Sequence, residues 1–260
     1  MKITIITSNH SRHNYLINLI SEISSELSVI MESKTRFPGL VPGSYPVTEN
    51  MKRYFTKVNE AQEKIFGNSY IRNTNKVKIL PLATGDINNC SVEYLKDFLR
   101  SEIYIVFGSS YIKGELADFL VKKKAINIHM GISPYYRGAD CNFWALNDDN
   151  PNLVGATIHL LSKGLDTGNI LYHALSEPAN DPFFYTMSSV KAAFYSLKER
   201  IANKSIFDLH PELQDKTKQI RYSKKLDFTD EVVKCFLEKK IILKKKINLR
   251  DYKNPFILKS

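Results

Sequence analysis

The sequence predicts an α/β protein: an open, mostly parallel sheet covered by helices, with a small C-terminal α+β appendage. Three observations carry that expectation. Lys2–Thr7 (KITIIT) is a short apolar run that leads through a polar turn into helical spacing and then a second apolar run. Ile103–Phe107 is unbroken apolar, as a strand buried on both faces should be. Beyond residue 203 the periodic pattern weakens and positive charge accumulates.

The elements follow in order. Leu16, Leu19, Ile20, Ile23 and Leu27 recur at helical spacing, so a helix is expected over Tyr15–Leu27 and a strand over Leu27–Met31. This β-α-β opening is how a parallel sheet begins. Residues 33–48 carry Pro38, Gly39, Pro42, Gly43 and Pro46 and are expected to be an irregular loop. Glu49–Phe66 predicts a polar helix stopped by Gly67, and Lys76–Leu80 a strand. Ser91–Leu99 predicts a helix with Ser91 as its cap and Glu93 in its first turn. Strand Ile103–Phe107, helix Ile112–Lys122 and strand Ala125–Met130 come next. Gly155–Leu161 and Asn169–Leu175 are expected strands around a glycine-containing turn, and Pro182–Ala202 a helix. Arg221-Tyr222 and Thr229–Glu238 predict a small strand and a helix. Residues 1–203 are expected to form the main domain and 204–260 a small basic subdomain.

Composition bounds the class. The chain has 260 residues, 43% apolar and 25% charged, enough to bury a substantial core. That usage excludes wholesale disorder, collagen and disulfide-scaffold classes. No apolar run approaches the roughly 20 residues that span a bilayer, so no membrane association is expected. The Ile3–Ile6 run breaks at Ser8-Asn9-His10, too short for a secretory signal. Cys90, Cys141 and Cys235 form no CxxC pair, which points to a reduced, cytoplasmic protein. The net charge of +10 is uneven: residues 1–190 hold 19 Lys/Arg against 18 Asp/Glu, whereas residues 191–260 hold 18 against 9. The excess forms no arginine-rich array and has acidic residues interspersed, which favours a solvated surface over a nucleic-acid or membrane site.

The chemistry begins at Ala125-Ile126-Asn127-Ile128-His129-Met130. Strand alternation sends Ile126, Ile128 and Met130 one way and Asn127 and His129 the other. Two polar groups then lie together at the C-terminal end of a buried strand, where open α/β sheets place their ligand crevices. Asn127 can donate an N–H to a developing oxyanion, and His129 suits proton transfer near neutral pH. Taken alone, the pair reads first as two buried polar groups bonded to backbone, and it is the context that changes this. Asp166 lies 37 residues after His129, in Lys163-Gly164-Leu165-Asp166-Thr167-Gly168-Asn169, a turn from which a carboxylate can orient the imidazole. The chain holds no GxSxG and no positioned cysteine, so direct attack by a substrate group is expected. A single Asp-Thr-Gly does not make an aspartic protease, which needs two carboxylates sharing a site. His10, His13, His129 and His159 show no metal-ligand spacing, and no metal is expected.

Taken in order, Asn127-x-His129, Pro134, Arg137-Gly138, Gly155-Ala-Thr157-Ile-His159 and Asp166-Thr-Gly168 resemble the core of the formyltetrahydrofolate-dependent formyltransferase family. The resemblance covers residues 75–175 well and the N-terminal third weakly. It implies a Rossmann-like domain and direct formyl transfer from N10-formyltetrahydrofolate, as co-substrate, to an amine. It assigns Asn127, His129 and Asp166 to catalysis. Asp166 also joins Phe107, Gly108, Ser109, Tyr111 and Ile112 in folate binding, the loop acting largely through backbone. His159 is expected to give structural support, and Cys141 to be inert.

Departures from the family pattern narrow the acceptor. The purine-pathway members carry a glycine-rich phosphate loop where this chain has Ser8-Asn9-His10-Ser11-Arg12-His13. The tRNA-acting members carry an RNA-binding C-terminal domain longer than the 57 residues beyond residue 203. Gly131-Ile132-Ser133-Pro134-Tyr135-Tyr136-Arg137-Gly138, Asn142-Phe143-Trp144 and Arg221–Phe228 are similar to bacterial sugar N-formyltransferases. That similarity implies an amino-sugar acceptor, nucleotide-linked or a precursor of a pseudaminic-type acid, for surface glycan biosynthesis. Arg12 and His13 are expected to bind an anionic group of the acceptor, the alternative being a polar turn capping the first helix. Tyr135 and Arg137 are further expected acceptor contacts, with packing for Tyr135 and a loop-fixing bond for Arg137 as alternatives. Tyr136 and Trp144 read as packing or as rings for stacking. A homodimer through the C-terminal segment is expected from the family alone. The rival expectations are a methionyl-tRNA formyltransferase-like enzyme and a folate-binding protein without catalysis.

Overall fold

The computed structural model describes residues 1–33, 48–72, 75–243 and 248–259. The breaker-rich stretch expected as a loop, 33–48, lies almost wholly outside them. The chain runs β1 (Lys2–Ser8), α1 (Ser11–Ser21), β2 (Glu26–Ser33), α2 (Glu49–Phe66), β3 (Val77–Ala83), β4 (Ile103–Val106), α3 (Gly114–Lys122) and β5 (Ile126–His129). It continues through β6 (Tyr136–Gly138), α4 (Cys141–Asn147), β7 (Ala156–Leu160), β8 (Ile170–Ser176), α5 (Pro182–Ala202), β9 (Arg221–Ser223), α6 (Asp230–Glu238) and β10 (Phe256–Leu258).

Eight strands form one sheet in the order β10-β8-β7-β5-β4-β1-β2-β3, and β6 pairs with β9 in a separate ribbon. The order is the expected open α/β arrangement. Pairings from β3 through β5 are parallel, and β7 is antiparallel to both β5 and β8. Alternation divides the core in two. Ile3, Ile5, Ile103 and Ile105 face one cluster, which includes Leu16, Ile17 and Ile20 of α1 and Phe194 and Leu197 of α5. Ile6, Tyr104 and Val106 face the other, with Leu116 and Leu120 of α3. Each fully buried aliphatic side chain contributes roughly 1.5–3 kcal/mol, so the sheet is held from both faces.

Several elements differ from expectation. The first helix ends at Ser21, and Leu27 belongs to β2, where it is fully buried. The first apolar residue of the strand happens to fall on the helical spacing. Ser91 does cap, accepting from Tyr94 N at 3.1 Å, but 91–99 forms turns and a short 3-10 segment, Lys96–Phe98, in place of an α-helix. The carbonyls of Phe98 and Leu99 are taken by the hydroxyls of Thr4 and Tyr104 at 2.6 and 2.5 Å, and those tertiary bonds set the path. Helix α3 starts at Gly114, two residues later than expected, because the preceding residues are bound into a loop. β6, α4 and β10 are too short to show a period, and the sequence reading missed them. The stretch beyond residue 203 shares the main core: Phe228, Val233, Phe236 and Tyr252 all pack into it, and β10 pairs with β8. Among the described residues no helix is long and apolar enough to cross a membrane.

Candidate active site

Leaving β1, the chain builds β2 and β3 on one side and then returns to build β4 on the other. The carboxyl ends of β1 and β4 therefore diverge at a topological switch point, where open α/β sheets bind ligands. A cavity of about 1130 Å³ opens there. Ser8, His10, Arg12 and His13 line it from the β1 side, Phe107–Ile112 from the β4 side, and Asn127 and His129 from β5.

Antiparallel pairing explains why Asn-x-His and Thr-x-His belong together. β5 and β7 run in a register that sets Asn127 opposite His159 and His129 opposite Thr157. His159 Nδ1 lies 2.8 Å from the Leu160 carbonyl, an acceptor only, so Nδ1 carries the proton. Burial lowers the pKa of His159 to about 4, leaving Nε2 as a bare lone pair. Asn127 Nδ2 donates to that Nε2 at 3.0 Å. This bond fixes which end of the amide is nitrogen and leaves its second N–H for the cavity.

His129 is buried, with Nδ1 3.3 Å from Asp166 Oδ1 and Nε2 3.2 Å from the Tyr136 carbonyl. Both ring nitrogens face acceptors, which suits the doubly protonated ring. Burial opposes that charge, but the Asp166 carboxylate, joined by Cys141, outweighs it and raises the imidazole well above its usual 6.5. Burial likewise pushes the Asp166 carboxyl up, and the His129 charge outweighs it, holding Asp166 at about 2. Asp166 adopts φ +49°, a left-handed conformation that Asp tolerates, and its Oδ2 accepts from Gly138 N at 3.4 Å. Asn127, His129 and Asp166 thus converge on one cavity.

Two close approaches hold this arrangement. A Cβ on Gly168 would lie 1.6 Å from the Leu160 carbonyl oxygen and 2.8 Å from His159 Nδ1. One on Gly131 would lie 2.5 Å from Cys141 Cβ and 2.8 Å from His129 Nε2. Thr157 donates to the Gly131 carbonyl at 2.6 Å and accepts from Ser133 N at 2.8 Å, pinning the turn beside His129.

The loop residues Phe107, Gly108, Ser109, Tyr111 and Ile112 all line the cavity, as do Arg12 and His13. His13 is buried, stacked on Phe107 at 4.7 Å, with Nδ1 2.7 Å from the Thr7 hydroxyl. Arg12 donates to Gln62 at 2.8 Å. Tyr135 and Arg137, the other expected acceptor contacts, are not among the residues that line this cavity. The Arg137 guanidinium is buried and donates to the Leu165 carbonyl at 3.1 Å and to Gln219 at 3.2 Å, holding the turn that carries Asp166. The Tyr135 carbonyl accepts from Ile220 N and Arg221 N, a backbone role beside the β6–β9 ribbon. Tyr136 and Trp144 are buried packing residues, and Arg221 lies 4.4 Å over the Trp144 ring while pairing with Asp148.

The sequence reading missed the far wall. Tyr54 and Phe55 of α2, Phe143 of α4 and Phe228 form an aromatic face of the cavity, with Phe143–Phe228 ring centroids 4.7 Å apart. Met187 and Val190 of α5 extend it, and Asp140 and Lys225 add charge. Burial pushes the Asp140 carboxyl up, partly countered by Lys225. These residues come from elements far apart in the chain, so no local motif marks them.

An open α/β sheet with an amide, an imidazolium and a carboxylate at its switch point places the chain among ligand-binding doubly wound proteins. Residues 105–182 match the model of the formyl transferase family. It is 32% identical over 155 residues to a methionyl-tRNA formyltransferase of Finegoldia magna, covering 54% of this chain and 48% of that protein. The chain thus spans about half the length of that relative. Its fold is similar to a sugar N-formyltransferase of Shewanella sp. FDAARGOS_354, with TM-score 0.53, 16% identity and coverage of 96% and 85% of the two chains. It is similar also to a 4-N formyltransferase of Francisella tularensis, with TM-score 0.53, 17% identity and coverage of 96% and 84%.

Proposed function

We propose that the protein transfers the formyl group of N10-formyltetrahydrofolate to the primary amine of an amino sugar, with a nucleotide-linked deoxyamino sugar as the acceptor class. The observation that carries this reading is the convergence of Asn127, His129 and Asp166 on one cavity shared with the Phe107–Ile112 loop. The cavity, at about 1130 Å³, is large enough for two small-molecule substrates together. Its loop wall suits a flat heterocycle. Its aromatic wall suits a nucleobase or the apolar face of a deoxysugar. Arg12 and Lys225 suit a phosphate.

The acceptor nitrogen adds to the formyl carbon, and the carbonyl oxygen takes the negative charge. The second N–H of Asn127 stabilises that oxyanion. So does His129 Nε2–H, whose 3.2 Å bond to the neutral Tyr136 carbonyl yields to a charged acceptor. Collapse then breaks the bond to N10, which gains a proton as the acceptor nitrogen loses one. Asp166, held at about 2, is too weak a base at neutral pH, and His129 is already protonated. Water is left as the first acceptor of the amine's proton.

The test is incubation with N10-formyltetrahydrofolate and a panel of amino sugars, free and nucleotide-linked, with initiator methionyl-tRNA alongside. Formyl gain is read by mass spectrometry. Formylation of a nucleotide-linked sugar, insensitive to salt, is expected. Formylation of the tRNA alone, falling steeply with salt, would replace this reading by the one its 32%-identical relative suggests. No formylated acceptor at all would leave a binding protein. Asn127→Ala and His129→Ala are each expected to lower kcat by about 10²–10³ while tetrahydrofolate still binds.

A further inference from the structure

We propose that Glu32, at the carboxyl end of β2, is a positioning residue that sets the conformation of the 108–113 loop and thereby governs folate affinity without touching the folate. The inference rests on the folate reading of the cavity given above.

Glu32 is fully buried, in a strand whose other side chains are chiefly apolar. Its carboxylate spends both oxygens on neighbouring loops. Oε2 accepts from Ser110 N at 2.5 Å, and Oε1 accepts from the Ser110 hydroxyl at 2.7 Å and from Gly85 N at 2.7 Å. A buried carboxylate is costly unless hydrogen-bonded, and here the donors that satisfy it belong to the segment facing the cavity. One side chain therefore ties the ends of β2, β3 and β4 together just where the switch-point cavity opens.

A second brace acts on the same loop. Asn88 Nδ2 donates to the Tyr111 carbonyl and Asn88 Oδ1 accepts from Lys113 N, both at 2.9 Å. From the loop the Tyr111 hydroxyl reaches across to the Lys163 carbonyl at 2.5 Å, in the turn that carries Asp166. The loop is thus held at Ser110, Tyr111 and Lys113 by groups outside the cavity, while Ser109, Ser110 and Tyr111 line its wall. A site that binds its ligand through loop backbone depends on that backbone being fixed before the ligand arrives.

Only a carboxylate fits the brace. In Glu32→Gln one oxygen becomes an NH₂. At the Oε2 position it opposes Ser110 N–H, donor to donor. At the Oε1 position it opposes Gly85 N–H, and the Ser110 hydroxyl can relieve only its own contact. Either orientation orphans a backbone N–H.

The test is calorimetric titration of the full chain with tetrahydrofolate, together with steady-state kinetics on the acceptor identified above. Glu32→Gln is expected to weaken tetrahydrofolate binding by about tenfold or more and to raise the KM for the folate, with the acceptor KM within about twofold and kcat at saturating folate retained. Equal loss in both KM values would mark a merely structural residue and overturn the proposal. So would tetrahydrofolate binding as tight as that of the unaltered chain. Should Glu32→Gln fail to fold, Ser110→Ala removes one of the three bonds from the loop side. It is expected to weaken tetrahydrofolate binding by roughly threefold to tenfold, and unchanged binding would overturn the proposal. Failure of the unaltered chain to bind tetrahydrofolate would instead remove the folate reading itself.

Discussion

At the scale of single residues, the site is a set of decided protonation states. Burial opposes the charge on both rings: at His129 the neighbouring Asp166 and Cys141 outweigh it, whereas at His159 burial wins over the Leu160 carbonyl bond and the more distant Asp166. The two imidazoles thus share one wall with opposite tasks, one a charged donor and the other a neutral acceptor. A pH consequence follows. His129 stays protonated as pH rises through 6.5, so kcat should show no inflection there and should decline only at clearly alkaline pH. Asp166→Asn removes the charge that raises His129 most but not the burial, and the His129 pKa then falls. A pH–rate profile of that variant should show its inflection moved to lower pH, with kcat at pH 7.5 reduced by about tenfold or more. A profile superimposable on that of the unaltered chain would show that the carboxylate does not set the state of the ring.

Among the elements, the β7–β8 hairpin carries most of what the sequence motifs encode. The register slips between Ile158 and His159, and Gly168 passes close to Leu160 at that slip. Gly168→Ala puts a methyl group against a backbone oxygen that cannot rotate away. The hairpin should open by several tenths of an ångström and release His159 from Leu160. A loss of about 3 kcal/mol or more in urea unfolding is expected, with a parallel fall in kcat as Asn127 loses its orientation. Normal stability would mean that the strands can part without cost. The elements also show what a sequence discloses. Asn127 and His129 were legible because strand alternation needs only neighbouring residues, and Asp166 because a turn advertises itself through Gly164 and Gly168. The aromatic wall was not, since Tyr54, Phe143 and Phe228 meet only after α2, α4 and the segment before α6 have packed. Glu32 was hidden because its partners, Gly85 and Ser110, lie on loops far along the chain. Residues 91–99 read as a helix because Ser91 is a sound cap, but Thr4 and Tyr104, outside that window, claimed its carbonyls. The bonds of Arg137 to the Leu165 carbonyl and of the Tyr135 carbonyl to Ile220 N and Arg221 N were not legible either, since their partners lie far along the chain.

For the molecule as a whole, the titrations that shape the site also shape the stability of the fold. His159 and His173 are both lowered to about 4 by burial. Each binds a proton more readily in the unfolded chain, so stability is present in full above 6.5 and is lost as pH falls from 6.5 towards 4. His129 works in the opposite sense: its contribution is complete below 6.5 and is lost as pH rises through its raised pKa. The lowered Asp166 adds a further loss only as pH falls from 3.8 towards 2. The urea midpoint should therefore peak near pH 6.5 and decline on both sides. His173 ties this behaviour to the end of the chain. Its Nδ1 accepts from Lys253 N at 2.9 Å, its Nε2 donates to the Ser133 carbonyl at 2.9 Å, and β10 closes over the edge of β8 beside it. Truncation after residue 247 removes β10 and the buried Tyr252, which should cost about 3 kcal/mol and lower Tm by roughly 5–10 °C. It should also open His173 to water, return its pKa towards 6.5 and flatten the acid limb, leaving His159 to supply the remaining slope between 6.5 and 4. A truncated chain with the full acid slope would mean that His173 is shielded by β8 and Ser133 alone, and that the C-terminal strand stabilises the sheet without governing its response to pH.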